Sequence, residues 1–290
     1  MAKRKEPKFF IIGHPRSGTT SLYEMLKKHP NVFMPEDKEP HFFCKDVNQK
    51  ISLKKEYLEL FSNARGEKAI GEATADYLRS SVSAREIKKF SPNAKIIMIL
   101  REPVELLRAL YQKNIEAGKE SISSISEKIF DQDYIEITEY SKQIRRYLDN
   151  FPKENIKIII YDDYKNHNKK TLKGIFEFLG VDKNFVPKKE TINNSRFNRF
   201  GKLNLILKSQ TSVKIRKFLR DSLPKTIIRP LQEIYRNAIY KKGKIEIPEK
   251  TKKELKKKLK PEVEKINDLL HEEGFLDKDR DLVKEWDYRK

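Results

Sequence analysis

The sequence contains a single cysteine, Cys44, among 290 residues. No internal disulfide is therefore possible, which agrees with a reducing compartment. No Cys and His spacing of a metal site is present, so we expect no bound metal. The strongest apolar run, residues 96–100, has only the length of a strand, and residues 9–12 are too short for the core of a signal peptide. These absences predict a soluble, cytoplasmic protein without a membrane-spanning segment.

Acidic residues are fewer than basic ones. The sequence has 43 aspartates and glutamates and 63 lysines and arginines, which gives a formal net charge of +20. The basic residues crowd residues 196–260 and are densest at residues 250–260. Two interpretations of this stretch stay open: a solvated helix face, or a surface that attracts an anionic partner. Nucleic acid is a poor candidate for that partner, because the sequence has no recognisable nucleic-acid-binding module.

Short apolar segments alternate with helical patterns along the first two thirds of the chain. Predicted strands cover residues 8–13, 69–72, 95–100 and 156–161, and predicted helices include residues 19–28, 83–90, 134–150 and 166–179. This alternation predicts an α/β fold of the P-loop-like kind, with three α/β/α layers and a central parallel sheet. We expect a single domain over residues 1–290, with a nucleotide-binding core at 5–200 and a helical, basic C-terminal portion at 201–290.

The turn between the first strand and the first helix has a G-x-x-x-x-G frame from Gly13 to Gly18. Such a turn presents backbone N–H groups and the positive end of a helix to a phosphate. An NTPase carries a Lys directly after the second glycine, and this chain has Thr19 there. The frame therefore favours a nucleotide other than ATP, held with help from the hydroxyls of Thr19 and Thr20 and the cation of Arg16. An ordinary strand-to-helix turn is the alternative.

Two further polar clusters combine residue types that carry chemistry. Glu39 lies two residues from His41 and next to Lys38, which offers a general base with hydrogen-bonding partners. Arg101 stands at the end of a predicted strand, just ahead of a helix start, and suits a second phosphate group. The alternatives are a plain loop carboxylate beside a satisfied histidine, and an ordinary salt bridge for Arg101.

Taken together and in this order, these motifs resemble those of the sulfotransferases that use 3′-phosphoadenosine 5′-phosphosulfate (PAPS). The carbohydrate-type branch, which includes heparan sulfate sulfotransferases, is the most similar. The resemblance is carried by residues 15–22, 38–43, 71–78, 97–111 and 158–182, and by Asn193, Asn194 and Ser195 with Arg199. It covers nearly the whole chain, and it implies PAPS as the donor, the bisphosphate PAP as the product, and no metal.

The resemblance also implies a role for each site residue. The nucleotide would be bound by Arg16, Ser17, Gly18, Thr19, Thr20 and Ser21 at its 5′-phosphosulfate, by Arg101 at its 3′-phosphate, and by Arg199 from a later loop. Glu39 would be the general base, while Lys38 and His41 would position the sulfuryl group or the base. Two residues depart from the family pattern: Arg16 stands where many members have Lys, and Ala109 stands where members usually pair the strand-end Arg with a Ser.

The predicted reaction is the transfer of a sulfuryl group to a hydroxyl or amine of an acceptor. A glycan, a glycolipid or another hydroxyl-bearing molecule would fit, and the basic charge favours a carbohydrate. Residues 116–133 and the tail after Lys202 are the predicted walls of the acceptor site. Two other classes stay open: a P-loop small-molecule kinase, disfavoured by the Lys missing after Gly18, and a non-enzymatic polyanion-binding protein. The sequence makes no prediction of the oligomeric state.

Overall fold

Five parallel strands form the central sheet in the computed structural model, which describes residues 5–187, 196–198, 240–242 and 244–289. In chain order the strands are β1 (Phe9–Ile11), β2 (Val32–Phe33), β3 (Ala69–Ala73), β4 (Lys95–Leu100) and β5 (Ile156–Ile160). Their order in the sheet is β2-β3-β1-β4-β5, and each pair of neighbours is parallel. The predicted parallel sheet is confirmed.

The strands at the centre of the sheet are apolar and buried. β4 reads K-I-I-M-I-L without alternation, because both faces of a central parallel strand are covered. In β1, Phe9 lies between Gly71 of β3 and Lys95 of β4. A Cβ atom at Gly71 would lie only 2.4 Å from the Phe9 ring, so the close approach of these two strands requires a glycine.

Helices flank the sheet. In the described part of the chain they are α1 (Thr19–Lys27), α2 (Lys54–Glu59), α3 (Ser83–Phe90), α4 (Pro103–Glu116), α5 (Ile125–Lys128), α6 (Gln132–Ile135), α7 (Tyr140–Leu148), α8 (Tyr161–Asn166), α9 (Asn168–Leu179), α10 (Glu249–Glu272) and α11 (Leu282–Glu285). A separate antiparallel pair joins β6 (Arg196–Asn198) to β7 (Tyr240–Lys242). The P-loop-like α/β class expected from the sequence is confirmed.

Two helices differ from the sequence-based expectation. The single helix predicted over residues 134–150 is broken into α6, a 3₁₀ turn at Glu136–Thr138, and α7. The Gln143 side chain donates to the carbonyls of Glu136 and Ile137, which satisfies backbone acceptors left open by the break. The other difference is α8, a six-residue helix directly after β5, where the strand was predicted to run to residue 161 and a helix to start at 166.

The chain divides into two compact units, and neither is a continuous stretch. The first comprises Met1–Leu106, Glu136–Glu190 and Lys257–Lys290, and the second comprises Leu107–Ile135 and Thr191–Lys256. The first unit contains the whole parallel sheet. In the second, the Tyr111 ring lies 5.5 Å from that of Tyr134. The division into residues 5–200 and 201–290 stays a prediction, because most of residues 188–243 lie outside the described part.

Candidate active site

The Gly13–Gly18 loop connects the carboxyl end of β1 to the start of α1. The structure shows why a glycine is required at each of the two positions. A Cβ atom at Gly13 would lie 2.6 Å from the Cβ of Leu78, and Gly18 adopts the left-handed conformation with φ of 88°. The frame recognised in the sequence is thus set by close packing at one end and by backbone conformation at the other.

The start of α1 has the features of an anion site. Gly18 occupies the N-cap position without a side-chain cap, and no acidic residue lies in the first helical turn. The Ser17 hydroxyl is buried and has no hydrogen-bond partner among the described residues. A buried hydroxyl without a partner calls for a ligand or water, and a helix N-terminus favours a negative one. These residues fit the phosphosulfate end of PAPS.

Arg101 is brought against this loop from the end of β4. Its Nη1 donates to the Arg16 carbonyl at 2.7 Å, and its Nη2 lies 3.3 Å from Glu105 Oε2. The guanidinium also lies over the Tyr161 ring, 4.6 Å from its centroid. The Tyr140 hydroxyl donates to the Arg101 carbonyl at 2.9 Å. Arg101 therefore makes the salt bridge weighed as an alternative and also supports the loop, while its role toward a 3′-phosphate stays a prediction.

Helix α8, which follows the neighbouring strand β5, supplies two residues that the sequence analysis left without a role. Tyr161 covers Arg101, and the Tyr164 hydroxyl lies 3.0 Å from Ser21 Oγ in α1. Both tyrosines belong to α8, which begins where β5 ends. The signal was present in the sequence, because polar and aromatic residues at the end of a parallel strand face the ligand edge of the sheet.

The Glu39 cluster reaches the same edge. The Glu39 N–H donates to the Ala73 carbonyl at 3.0 Å, and the Thr74 N–H donates to the Ile11 carbonyl, also at 3.0 Å. Since Ile11 is the last residue of β1, the Glu39 segment lies at the sheet edge from which the Gly13–Gly18 loop departs. The two predicted clusters are therefore brought to one edge of the sheet.

Two basic side chains, those of Lys38 and His41, surround the Glu39 carboxylate. Lys38 Nζ lies 2.6 Å from Oε1, and His41 Nε2 lies 3.7 Å from Oε2. The imidazole of His41 and the ammonium of Lys38 lower the pKa of Glu39 to about 2, against the opposing effect of burial. Glu39 is thus ionised at neutral pH, with about a third of its side chain exposed to solvent.

Asp76 is a site residue that the sequence analysis missed. Its Oδ2 lies 3.6 Å from His41 Nδ1, and its Oδ1 accepts from Arg79 Nε at 2.7 Å. The buried His41 ring thus lies between two carboxylates, with the Cys44 sulfur 3.5 Å from Nδ1. Asp76 stands in the segment 71–78 that carried the family resemblance, but contact with His41 depends on how two distant loops meet.

Three predicted site residues have a backbone conformation that is unusual for residues other than glycine. Arg16, Glu39 and His41 have φ of 65°, 60° and 53°, and the described chain holds only two other non-glycine residues with positive φ. Such conformations are disfavoured by sterics and concentrate at functional sites, where the surrounding structure enforces them.

Glu72 is linked through hydrogen bonds of Tyr77 to the backbone near Glu39. This fully buried carboxylate accepts hydrogen bonds from Tyr77, Thr74 and Tyr57, at 2.7, 2.8 and 3.1 Å. The Tyr77 hydroxyl in turn accepts from the Phe42 N–H at 3.1 Å. Burial raises the pKa of Glu72 to about 7, although the three hydrogen bonds oppose the rise.

Some predictions fall beyond this description. Arg199 and the segment 193–195 lie outside the described residues, as does most of the tail after Lys202. Ala109 is buried in α4. Within the described ranges, no helix is long and apolar enough to cross a membrane. Nor do those ranges contain a group of three His, Cys, Asp or Glu side chains placed to hold a metal ion.

Comparison with known protein families and structures identifies the family of this chain. The model of the sulfotransferase domain family matches residues 6–243, so the chain belongs to this family. Among solved structures, a sulfotransferase from Alicyclobacillus acidocaldarius is 24% identical with a TM-score of 0.68, and the match covers 92% of this chain and 96% of that one. This likeness supports the fold.

Curated relatives are also sulfotransferases. Membrane-associated sulfotransferase kil1 of Dictyostelium discoideum is 33% identical over 125 residues, 43% of this chain and 26% of that protein. Carbohydrate sulfotransferase 15 of Homo sapiens is 25% identical over 246 residues, 60% of this chain and 44% of that protein. Heparan sulfate glucosamine 3-O-sulfotransferase 3B1 of Mus musculus is 23% identical over 240 residues, 79% of this chain and 60% of that protein. The matched part of the chain thus spans from about a quarter to three fifths of the length of these relatives.

We expect Glu72 to make stability fall as pH rises from about 4.5 to 7. Because burial raises the pKa of Glu72 in the folded state, the folded chain holds a proton in this window that the unfolded chain has lost. Glu72→Gln should remove this dependence, so the variant should gain stability relative to the unaltered protein between pH 5 and 8, by up to about 3 kcal/mol.

Urea unfolding of both proteins at several pH values measures this difference. Glu67→Gln is the control, because Glu67 is only partly buried and backbone hydrogen bonds lower its pKa against the opposing effect of burial, so this carboxylate stays ionised above pH 5. A difference between the Glu72→Gln and unaltered proteins that stays constant from pH 5 to 8 would contradict the assignment.

Proposed function

We propose that this sulfotransferase moves the sulfuryl group of PAPS to a hydroxyl or amine of a carbohydrate acceptor, with Glu39 as the general base. One observation carries the proposal: a loop with a buried Ser17 hydroxyl that has no hydrogen-bond partner in the described part of the chain lies at the same edge of the sheet as the ionised Glu39. The first suits the donor and the second suits the proton of the acceptor. Membership of the family supports this pairing of roles.

On the donor side, the chain would bind anionic groups and offset charge. Backbone N–H groups at the start of α1, with the hydroxyls of Ser17, Thr19 and Thr20, would bind the 5′-phosphate. Arg16, on the exposed part of the loop, would neutralise the charge that develops on the leaving oxygen. Arg101 would reach the 3′-phosphate while keeping its contact with the Arg16 carbonyl.

On the acceptor side, Glu39 would take up one proton. The bond from sulfur to the phosphate oxygen breaks, a bond from sulfur to the acceptor oxygen or nitrogen forms, and the acceptor proton passes to Glu39. A carboxylate with a low pKa is a weak base, so proton transfer follows the loss of electron density from the acceptor atom as its bond to sulfur forms. Lys38 and His41 hold the carboxylate in place, and the Lys38 ammonium presents positive charge to the sulfuryl oxygens.

A carbohydrate acceptor is supported by two observations. Two of the relatives described above are a carbohydrate sulfotransferase and a heparan sulfate sulfotransferase by name. The net charge of +20 also favours an acceptor that already carries negative groups. A glycolipid or another hydroxyl-bearing molecule would use the same Glu39 chemistry.

We expect Glu39→Gln to lower turnover by about 10² to 10⁴-fold, because the amide keeps the shape of the side chain but accepts no proton. Binding of PAP should remain within about threefold of the unaltered protein, since the phosphate ligands are untouched. Labelled PAPS with a panel of glycans measures the transfer, and calorimetry measures the binding.

Glu36→Gln is the matched control for this substitution. Glu36 lies in the same segment but is exposed and pairs with Lys27, so its loss should leave transfer unchanged. Turnover retained in Glu39→Gln would exclude Glu39 as the base.

We expect PAP to raise the melting temperature and ATP with Mg²⁺ to leave it unchanged, because Thr19 stands where an NTPase needs Lys. Ser17→Ala and Arg16→Ala should each weaken the PAP effect, corresponding to a rise in Kd of about tenfold. Arg65→Ala, at an exposed arginine away from the loop, is the control.

Other responses of the melting temperature and of ligand binding would support the two alternative classes of protein. Stabilisation by ATP with Mg²⁺ alone would support a kinase. Salt-sensitive binding of heparin that is unaffected by the loop substitutions, without any response to PAP, would support a polyanion-binding protein.

A further inference from the structure

The C-terminal segment, residues 280–289, contacts the residue that follows Arg101. The buried Tyr288 hydroxyl donates to Glu102 Oε1 at 2.6 Å. Glu102 in turn accepts from the Val104 N–H at 3.1 Å and from the Glu105 N–H at 2.6 Å. Glu102 thus satisfies N–H groups in the first turn of α4, and Tyr288 fixes the orientation of that carboxylate.

The other end of the segment contacts α8, the helix that carries the Tyr161 ring lying against Arg101. Arg280 makes a two-point contact with Asp163 of α8, with Nη1–Oδ2 of 2.6 Å and Nη2–Oδ1 of 3.1 Å. Asp163 stands between Tyr161, which covers the Arg101 guanidinium, and Tyr164, whose hydroxyl lies 3.0 Å from Ser21. A paired arginine–carboxylate contact constrains direction as well as distance.

The segment is itself fixed in place by hydrogen bonds to α10 and by buried side chains. The Arg280 carbonyl lies 2.8 Å from His271 Nε2 in α10, and the Leu282 N–H donates to Asn267 Oδ1 at 3.0 Å. Leu282 is fully buried and Trp286 is almost so. The segment therefore joins the long helix α10 to Glu102, which follows Arg101, and to α8, which carries Tyr161.

We propose that residues 280–289 act as a C-terminal brace for nucleotide binding, with Tyr288 and Arg280 as positioning residues. Tyr288 holds the start of α4 beside Arg101, and Arg280 holds α8 so that Tyr161 stays over the guanidinium. Without these contacts the Arg101 side chain loses its fixed direction, and affinity for the nucleotide falls while the fold remains. The proposal rests on the nucleotide site of the proposed function.

Two conservative substitutions test the two ends of the brace separately. Tyr288→Phe keeps the buried ring and removes the hydroxyl, and Asp163→Asn keeps the shape and removes the charge opposite Arg280. We expect each to raise the Kd for PAP about fivefold or more, at the lower end of couplings between separate groups. The melting temperature of the nucleotide-free protein should stay within a few degrees of that of the unaltered chain.

Amide hydrogen exchange supplies a readout that needs no nucleotide. In Tyr288→Phe the Val104 and Glu105 amides should exchange faster, because their acceptor Glu102 has lost its anchor. Arg289→Gln is the control, since Arg289 pairs with Asp281 inside the same segment and its loss should change neither PAP affinity nor exchange.

The outcomes separate this proposal from the one on which it rests. If the unaltered protein binds PAP and both variants bind it equally well, the brace is excluded. If the unaltered protein binds no PAP, the nucleotide assignment fails and the brace fails with it. If Tyr288→Phe melts much earlier, Asp163→Asn decides, and unchanged PAP affinity in that variant excludes the brace.

Discussion

The contact between the Arg101 guanidinium and the Arg16 carbonyl joins the two parts of the site that we propose to bind the phosphates of the donor. One partner lies at the end of β4 and the other in the loop after β1, and these strands are neighbours in the sheet. Only a cation with several fixed donors can bond a carbonyl, a carboxylate and a ligand while lying flat on an aromatic ring. The Tyr161 ring, the Tyr140 hydroxyl and the Glu105 carboxylate all contact Arg101, so displacement of this residue would disturb the whole loop.

Two carboxylates near the same sheet edge have opposite protonation behaviour for identifiable reasons. The imidazole of His41 and the ammonium of Lys38 lie against the two oxygens of Glu39 and lower its pKa to about 2, against the opposing effect of burial. Glu72 is fully buried among hydroxyl donors, and burial raises its pKa to about 7. We propose that Glu39 meets the acceptor. Glu72 supports the backbone near Glu39, because it accepts from the Tyr77 hydroxyl, which in turn accepts from the Phe42 N–H. Protonation of Glu72 near neutral pH therefore affects the support of the site rather than its chemistry.

Much of the fold could be predicted, because parallel strands are short apolar runs and their carboxyl ends gather at one edge. The Gly13–Gly18 frame, Glu39 with His41, and Arg101 were recognisable for the same reason, since each follows or precedes such a run. Contacts between distant segments could not be predicted. Asp76 meets His41 across two loops, and Tyr288 meets Glu102 across 186 positions of sequence. The break in the helix predicted over 134–150 depends on Gln143 reaching back to two carbonyls, which periodicity does not reveal.

We propose that one edge of the sheet presents both a binding site for the donor PAPS and the base Glu39 that accepts a proton during sulfuryl transfer. The most direct measurement follows the ³⁵S label of PAPS after incubation of the unaltered protein with glycans, glycolipids and small phenols. We expect the label to move to a carbohydrate and PAP to accumulate in equal amount. Release of label only as free sulfate, or no consumption of PAPS with any acceptor, would contradict it.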